Sequence, residues 1–479
     1  MSEAAPLASR TSRPPSLRRD LFGAYLATGA KVGSWALVSA IVFRIGGAEQ
    51  FAVLALVRGT IGLLNYISLG LAPALVHNAA RADAEPDAES RPDSQSVLGY
   101  HNTRAEDSIP LPVLYCNALF IAAVAMIVGG VATVEYGRVF NNLYNLPSGV
   151  RNVPDVVVLI GLGTLLRLIG DAPGAVLQVR GLISLDSLFV ATGDCLWAVL
   201  SVVTAIFARD RSSDLLAIIS AWYLASAVIP LVARTIVAHR ETGVLLPIPR
   251  LLVPKALRLL LVYGSMVVLA QLADYLYAPT DYILIDRLLE PIDIAHYAPA
   301  LQIDSALLLL VAGLSSVLLP RAAVAHAQGD RAAVTRYYVR GTLASLAMLA
   351  GVSAVVWGLS PWIFRIWLGN SMPETRRILP LLLVCTTLGG SSAVGRSILL
   401  AVGRVKPFTV SVLIAGVTNV VCSVAFVRVF HWGLAGIVLG TVVAVVGRCV
   451  VWMPWYILKV LAEEAGIGEV EDVPRDTGL

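Results

Sequence analysis

Ionisable side chains interrupt the long apolar stretches of this sequence. The cations are Lys31, Arg58, Arg167, Arg396 and Arg448, and the anions are Asp171, Asp194, Asp274, Asp281 and Asp304. A charge inside a bilayer costs about 2.5–3.5 kcal/mol on the insertion scale unless it is paired or hydrated. Such groups either line a path for a polar cargo or neutralise one another. Lys31 lies about 15 Å into its stretch and Arg58 about 12 Å into the next, at about 1.5 Å per residue. A lysine stem does not comfortably snorkel that far. Arg448 is also deep, and Arg396 is nearer an edge. An arginine meets acidic oxygens with a planar fork of donors. Lys31, Arg58, Arg396 and Arg448 are therefore the expected contacts of an anionic group. The competing reading is a salt bridge between helices, or snorkelling.

The other charges divide by spacing. Arg167 and Asp171 stand four apart, so on one helix they would pair, and a structural pair is expected. Gln271, Asp274 and Asp281 are spaced by three and seven and share one helix face. Tyr275 and Tyr277 accompany them, and Pro279 interrupts the hydrogen-bond ladder. Asp274 is the deepest of this group. With Asp194 and Asp304 it is the expected carrier of a coupling proton or sodium ion. Asp281 could instead cap a helix end.

The composition fixes where these residues sit. Of 479 residues, 57% are apolar and 14% are charged. A soluble protein has roughly 45–50% and 25%, so this chain has too few polar residues to cover a soluble surface. It reads as an all-α polytopic membrane protein. Aromatic residues are only 7%, and no ten-residue alternating pattern repeats, which argues against a β-barrel. A net charge of +4, with the basic residues scattered, argues against nucleic acid. The five cysteines fall in apolar stretches and read as small hydrophobes. No histidine has ligand-like spacing. Neither a metal site nor a cofactor is expected.

A span needs about 20 apolar residues. Twelve stretches qualify: 21–43, 50–77, 110–134, 154–177, 183–207, 213–236, 257–284, 294–320, 338–362, 378–402, 407–428 and 433–458. Residues 1–20 are a polar tail, with no cleavable leader expected. Residues 21–236 form a first six-helix bundle that contains the polar, acidic loop 79–108. The loop 237–256 leads to a second bundle over 257–458, and 462–479 is an acidic tail. Lys and Arg concentrate before the first stretch and in 78–109, 234–258 and 321–340, which predicts both termini on the cytoplasmic side. Trp357, Trp362 and Trp367 read as an interfacial belt at the outer end of the ninth stretch.

Several motifs carry a family resemblance. They are Phe43-Arg44-Ile45-Gly46-Gly47 with Ser68-Leu69-Gly70-Leu71, and the run from Asp281 to Tyr297. Leu319-Pro320-Arg321 with Gly329-Asp330, Trp367-Leu368-Gly369, Gly403-Arg404-Val405-Lys406 before Asn419, and Gly433-Leu434-Ala435-Gly436 complete the set. In this order and spacing the chain resembles the polysaccharide transport family of the MOP superfamily, the Wzx-type O-antigen flippases, from about residue 20 to about 460. The loop 79–108 is longer than that family's pattern.

The resemblance implies a V-shaped pair of six-helix bundles around a central cavity in the bacterial cytoplasmic membrane. It implies ion-coupled alternating access that moves undecaprenyl-diphosphate-linked oligosaccharide to the outer leaflet, with H+ or Na+ as coupling ion and no enzymatic step. The cargo would feed O-antigen, capsule or exopolysaccharide synthesis, with polymerase or assembly proteins as further partners. On that reading the four cations take the diphosphate, and Gln271, Tyr275 and Asp281 face the sugar. The alternatives are a multidrug exporter of the MATE type, a lipid II flippase, and a membrane glycosyltransferase, polymerase or ligase. Lys31 stands where a carrier of cationic drugs would need a carboxylate. Lipid II flippases usually have two further helices. The outer loop 135–153 holds Glu135, Arg138 and Arg151 but no convincing acid–base pair.

Overall fold

The computed structural model describes residues 17–62, 64, 70–76, 78–79, 109–147, 149–207, 214–275, 278–327, 330–401 and 405–470. Side chains are described except at 17–21, 24, 266–279, 312–329, 400–406 and 463–470. Most of the loop 79–108 therefore lies outside the described residues. All regular elements among them are helical.

The N-terminal half holds α1 (Leu17–Ile41), α2 (Gly47–Ile61), α3 (Leu111–Leu143), α4 (Val153–Ile169), α5 (Asp171–Val179), α6 (Ile183–Phe207) and α7 (Leu215–Thr242). The C-terminal half holds α8 (Pro254–Tyr275), α9 (Ala278–Leu288), α10 (Ile292–Ala327), α11 (Arg331–Leu368), α12 (Pro373–Ser391), α13 (Ala393–Ala401), α14 (Val405–Arg428), α15 (Gly433–Val445) and α16 (Met453–Val470). Wider π turns occupy Val42–Gly46 and Val446–Trp452. The expected acidic tail begins as helix, because α16 runs on to Val470.

Ten of these stretches are long and apolar enough to cross a membrane. The count differs from the expected twelve because 25–61 is continuous in helical character and counts once. The stretch expected at 257–284 is divided into α8 and α9. Gly47, at φ 82°, turns the chain between α1 and α2, a conformation that favours glycine. Gly243 and Gly369, at φ 74° and 75°, close α7 and α11, their amides donating to His239 and Arg365 carbonyls. Asp330 caps α11 by accepting from the Ala333 amide at 2.9 Å.

Packing divides the molecule into a V. One large apolar cluster joins the halves, with Trp35, Phe51, Phe140 and Trp197 on one side and Tyr297, Phe364 and Leu382 on the other. It lies at the face where the turns near 42–50, 144–152, 289–292 and 369–373 gather. At the other face the core splits in two. Leu71, Tyr115, Val176 and Leu260 belong to one cluster, and Tyr338, Ile398, Phe408 and Ile457 belong to another. The halves thus share a core at one face; at the face that carries loop 237–256, one cluster lies on the N-terminal half and takes in Leu260 from the start of α8, and the other lies within the C-terminal half. That loop is docked on the N-terminal half. The Asn117 amide donates to the Leu251 carbonyl at 2.9 Å, and the Val253 amide donates to Asn117 Oδ1 at 3.1 Å.

The joined face is also sealed by polar contacts. Trp367 donates to the Ala36 carbonyl at 2.7 Å, and Asn145 donates to the Asp286 carbonyl at 2.9 Å. The Asn145 amide donates to the Asp286 carboxylate at 3.0 Å, and Arg287 donates to the Leu143 carbonyl at 2.7 Å. Arg44 reaches the Ile366 carbonyl. Trp357 and Trp362 are exposed, as an interfacial belt requires. Trp367 departs from that expectation, because its ring nitrogen is spent on joining the halves.

Candidate functional site

The four expected anion contacts are not in one place. Lys31 on α1 and Arg58 on α2 line a cavity of about 280 Å³ between the halves. Trp35, Thr164 and Tyr223 complete its wall from the N-terminal half, and Tyr282, Gln302 and Ser305 from the other. No carboxylate is among its described lining residues. Lys31 is exposed and Arg58 half-buried.

Aromatic packing places Arg58. Its guanidinium carbon stands 4.2 Å from the Trp35 ring, a contact that favours a cation. Trp35 is itself held edge-on by Trp197 at 4.6 Å, and by Tyr223 at 5.7 Å. The Trp197 nitrogen is satisfied by the Ile219 carbonyl at 3.0 Å. Across the cavity, Tyr282 rests on Gly59, where an added Cβ would come within 2.4 Å of its ring. Only glycine lets α2 and α9 approach so closely. Gln302 ties α10 to α1 by donating to Ser39 at 3.1 Å.

Arg396 and Arg448 lie elsewhere, in a chamber of about 360 Å³ within the C-terminal half. Leu301 and Ser305 line both cavities, so one face of α10 is the wall between them. Arg396 comes from α13, and Arg448 from the π turn before α16, above the Phe408 ring at 6.0 Å. The same chamber holds two carboxylates. Asp281 is 1% exposed. It accepts from Tyr297 at 2.8 Å, Asn419 at 2.9 Å and Thr441 at 3.0 Å. Asp304 accepts from the Thr386 hydroxyl. Three donors from three elements thus hold Asp281, which lines this chamber and not the cavity between the halves.

The expected Arg167–Asp171 pair is also corrected. Arg167 pairs instead with Asp194 on α6, donates to Ser226 at 3.2 Å and lies over Tyr223 at 4.4 Å. The reason is energetic. Asp194 is 1% exposed and would be an uncompensated buried charge without Arg167. Asp194 is not among the described lining residues of either cavity. A second buried pair, Arg234–Asp186 at 2.6 Å, stands one layer away and escaped the sequence reading. Arg234 also donates to the Gly170 carbonyl at 3.2 Å. The signal available for it was Asp186, an acid at the edge of an apolar stretch.

Gln271, Asp274 and Tyr275 fall on α8, and their side chains lie outside the described residues. Among the described residues no group of His, Cys, Asp and Glu is clustered to hold a metal ion. Cys116, Cys385 and Cys449 are buried, and Cys195 is exposed.

This architecture is that of known transporters. The chain has the MATE/MOP transporter fold, all-helical with ten membrane-length stretches among its described residues. The MatE family model matches residues 267–425. An inward-facing multidrug resistance MATE family transporter of the MOP superfamily superposes with a TM-score of 0.71 at 14% identity, over 92% of this chain and 99% of that one. An outward-facing structure described in the same terms gives 0.63 at 14% identity, over 94% and 96%. The lipid II flippase MurJ, in an inward closed conformation, gives 0.61 at 12% identity, over 96% and 93%. No curated protein matches the chain.

Proposed function

We propose that this protein is a transporter, not an enzyme, which flips an anionic lipid-linked oligosaccharide across the bacterial cytoplasmic membrane. Its cargo is an undecaprenyl-diphosphate-linked sugar destined for O-antigen, capsule or exopolysaccharide. One observation carries the reading. Lys31 and Arg58 converge on the cavity between the halves, and no carboxylate is among that cavity's described lining residues. Such a wall attracts a diphosphate and repels a cationic drug, which counts against the exporter reading. A lipid II flippase of similar fold supports a lipid diphosphate as cargo.

The face carrying loop 237–256 is the face expected to be cytoplasmic. Loading from the inner leaflet, rocking about the shared core and release outside then form one cycle. Asp274 on α8, Asp194 and Asp304 are the candidates for the coupling H+ or Na+.

The test is deletion of the gene in its host, with extraction of the undecaprenyl-linked saccharides. The expected result is accumulation of repeat units on the cytoplasmic side and loss of one surface glycan. Lys31→Glu and Arg58→Glu should each fail to restore export at normal protein abundance. Full export by both variants, or a normal lipid pool with new sensitivity to cationic drugs, would overturn the reading.

A further inference from the structure

The segment that leaves α7 and enters α8 carries charge of nearly one sign. From Val237 to Arg258 it holds Arg240, Arg250, Lys255 and Arg258, and its sole acid is Glu241. Glu241 is paired with Arg180 at 3.4 Å. All four cations are exposed. Among them lies the apolar run Val244-Leu245-Leu246-Pro247-Ile248-Pro249. Leu245 is 51%, Leu246 70% and Ile248 39% exposed.

This run is held in a fixed shape. Gly243 turns the chain at φ 74°, and Val244 is buried in one cluster with Tyr115 and Val176. The Ile248 amide donates to Cys116 Sγ at 3.2 Å. Asn117, the next residue of α3, holds Leu251 and Val253. Pro247 and Pro249 restrict the backbone further. Leu245 and Leu246 are therefore exposed on an anchored loop.

The length of α7 sets their depth. Its 28 residues run about 42 Å at about 1.5 Å per residue, which matches a bilayer of roughly 40–45 Å with its headgroups. The end of α7 at Thr242 then stands at headgroup level, and the loop and the first turn of α8 stand beside it. Water offers these exposed apolar side chains nothing. The boundary between headgroups and acyl chains buries them, while arginines with apolar stems keep their charged ends among the phosphates.

We propose that the loop is a binding site for anionic phospholipid of the leaflet it faces, with Leu245, Leu246 and Ile248 entering the acyl boundary and Arg240, Arg250 and Arg258 holding phosphate headgroups. The acidic segment 79–108 could meet the same charges, but the apolar tips call for acyl chains. Because the loop is bonded to α3, bound lipid fastens the N-terminal half to that leaflet. The site is independent of the cargo, since Lys31 and Arg58 line the cavity between the halves.

The experiment uses the full chain in nanodiscs of phosphatidylcholine and phosphatidylglycerol, with native mass spectrometry to count each retained lipid. The wild type should retain phosphatidylglycerol in preference to phosphatidylcholine. Arg240→Gln, Arg250→Gln and Arg258→Gln together should weaken that preference about a hundredfold, at about fivefold for each charge near an anionic surface. Arg138→Gln with Arg377→Gln removes two exposed charges from the opposite face and should retain lipid as the wild type does. A second measurement reads depth with every charge in place. Leu246→Cys, in a chain with Cys195→Ser and Cys422→Ser, carries an environment-sensitive fluorophore. A nitroxide on the lipid near its glycerol should quench that label in phosphatidylglycerol vesicles more than a water-soluble quencher does. If the triple variant fails to fold, the label decides alone. An unchanged preference in the triple variant, or equal weakening by the control pair, would overturn the proposal. A label reached only from water would also overturn it, and would leave the segment 79–108 as the occupant.

Discussion

The polar seal at the joined face should set how often the halves part there. Trp367→Phe keeps an aromatic ring but deletes the 2.7 Å bond to the Ala36 carbonyl. Asn145→Ala deletes the 2.9 Å bond to the Asp286 carbonyl. Each such bond contributes about 0.5–1.5 kcal/mol net. The pair together is worth about 1–3 kcal/mol, a shift of about 5–150-fold between two conformations. Spin labels at Arg138 and Arg377 would report the separation. Both side chains are exposed, and their ion pairs, to Glu135 and Glu374, are local to their own helices. Exposed Cys195 must first be replaced. Pulsed dipolar spectroscopy should then show a longer-distance population that grows from wild type to single to double variant. Identical distance distributions in all three would refute the argument that these bonds hold the face closed.

Two further outcomes test the packing. Gly440→Ala should lower the melting temperature, because the new Cβ would lie 2.1 Å from Ser423 Oγ and 2.7 Å from its amide nitrogen; such overpacking costs about 1–3 kcal/mol, whereas Gly447→Ala should melt as the wild type does. Arg167→Met should destabilise by about 3–5 kcal/mol by leaving Asp194 buried and unpaired, and adding Asp194→Leu should recover most of that loss. A single variant that melts normally in detergent would show that Arg167 does not hold Asp194.

Hydropathy made the helical class legible, since runs of about 20 apolar residues leave little choice of structure. Depth alone picked out Lys31 and Arg58, and the fold brings them to one cavity. Depth could not say that Arg396 and Arg448 face another, because the wall between the cavities is made by two side chains of a distant helix. The i, i+4 spacing of Arg167 and Asp171 was misleading for a related reason. Spacing reports neighbours on one helix, whereas burial of Asp194 on another helix decides the pair. The Asp281 network was hidden because its donors Asn419 and Thr441 are neutral residues in otherwise apolar spans. Their polarity is weak in a hydropathy profile, yet each buried one needs a partner.

The single core that joins the halves has a thermal consequence. Its members are almost wholly apolar, including Phe51, Phe140, Trp197 and Phe364. Any motion that parts the halves at that face wets this surface. Each 100 Å² of apolar area so exposed adds about 45 cal/mol/K to the heat capacity of the parted state. The opening equilibrium therefore cannot follow a straight van't Hoff line. The joint behaves as a hydrocarbon bearing whose stiffness varies with temperature, so the working range of the host is written into its hinge as well as into its overall stability.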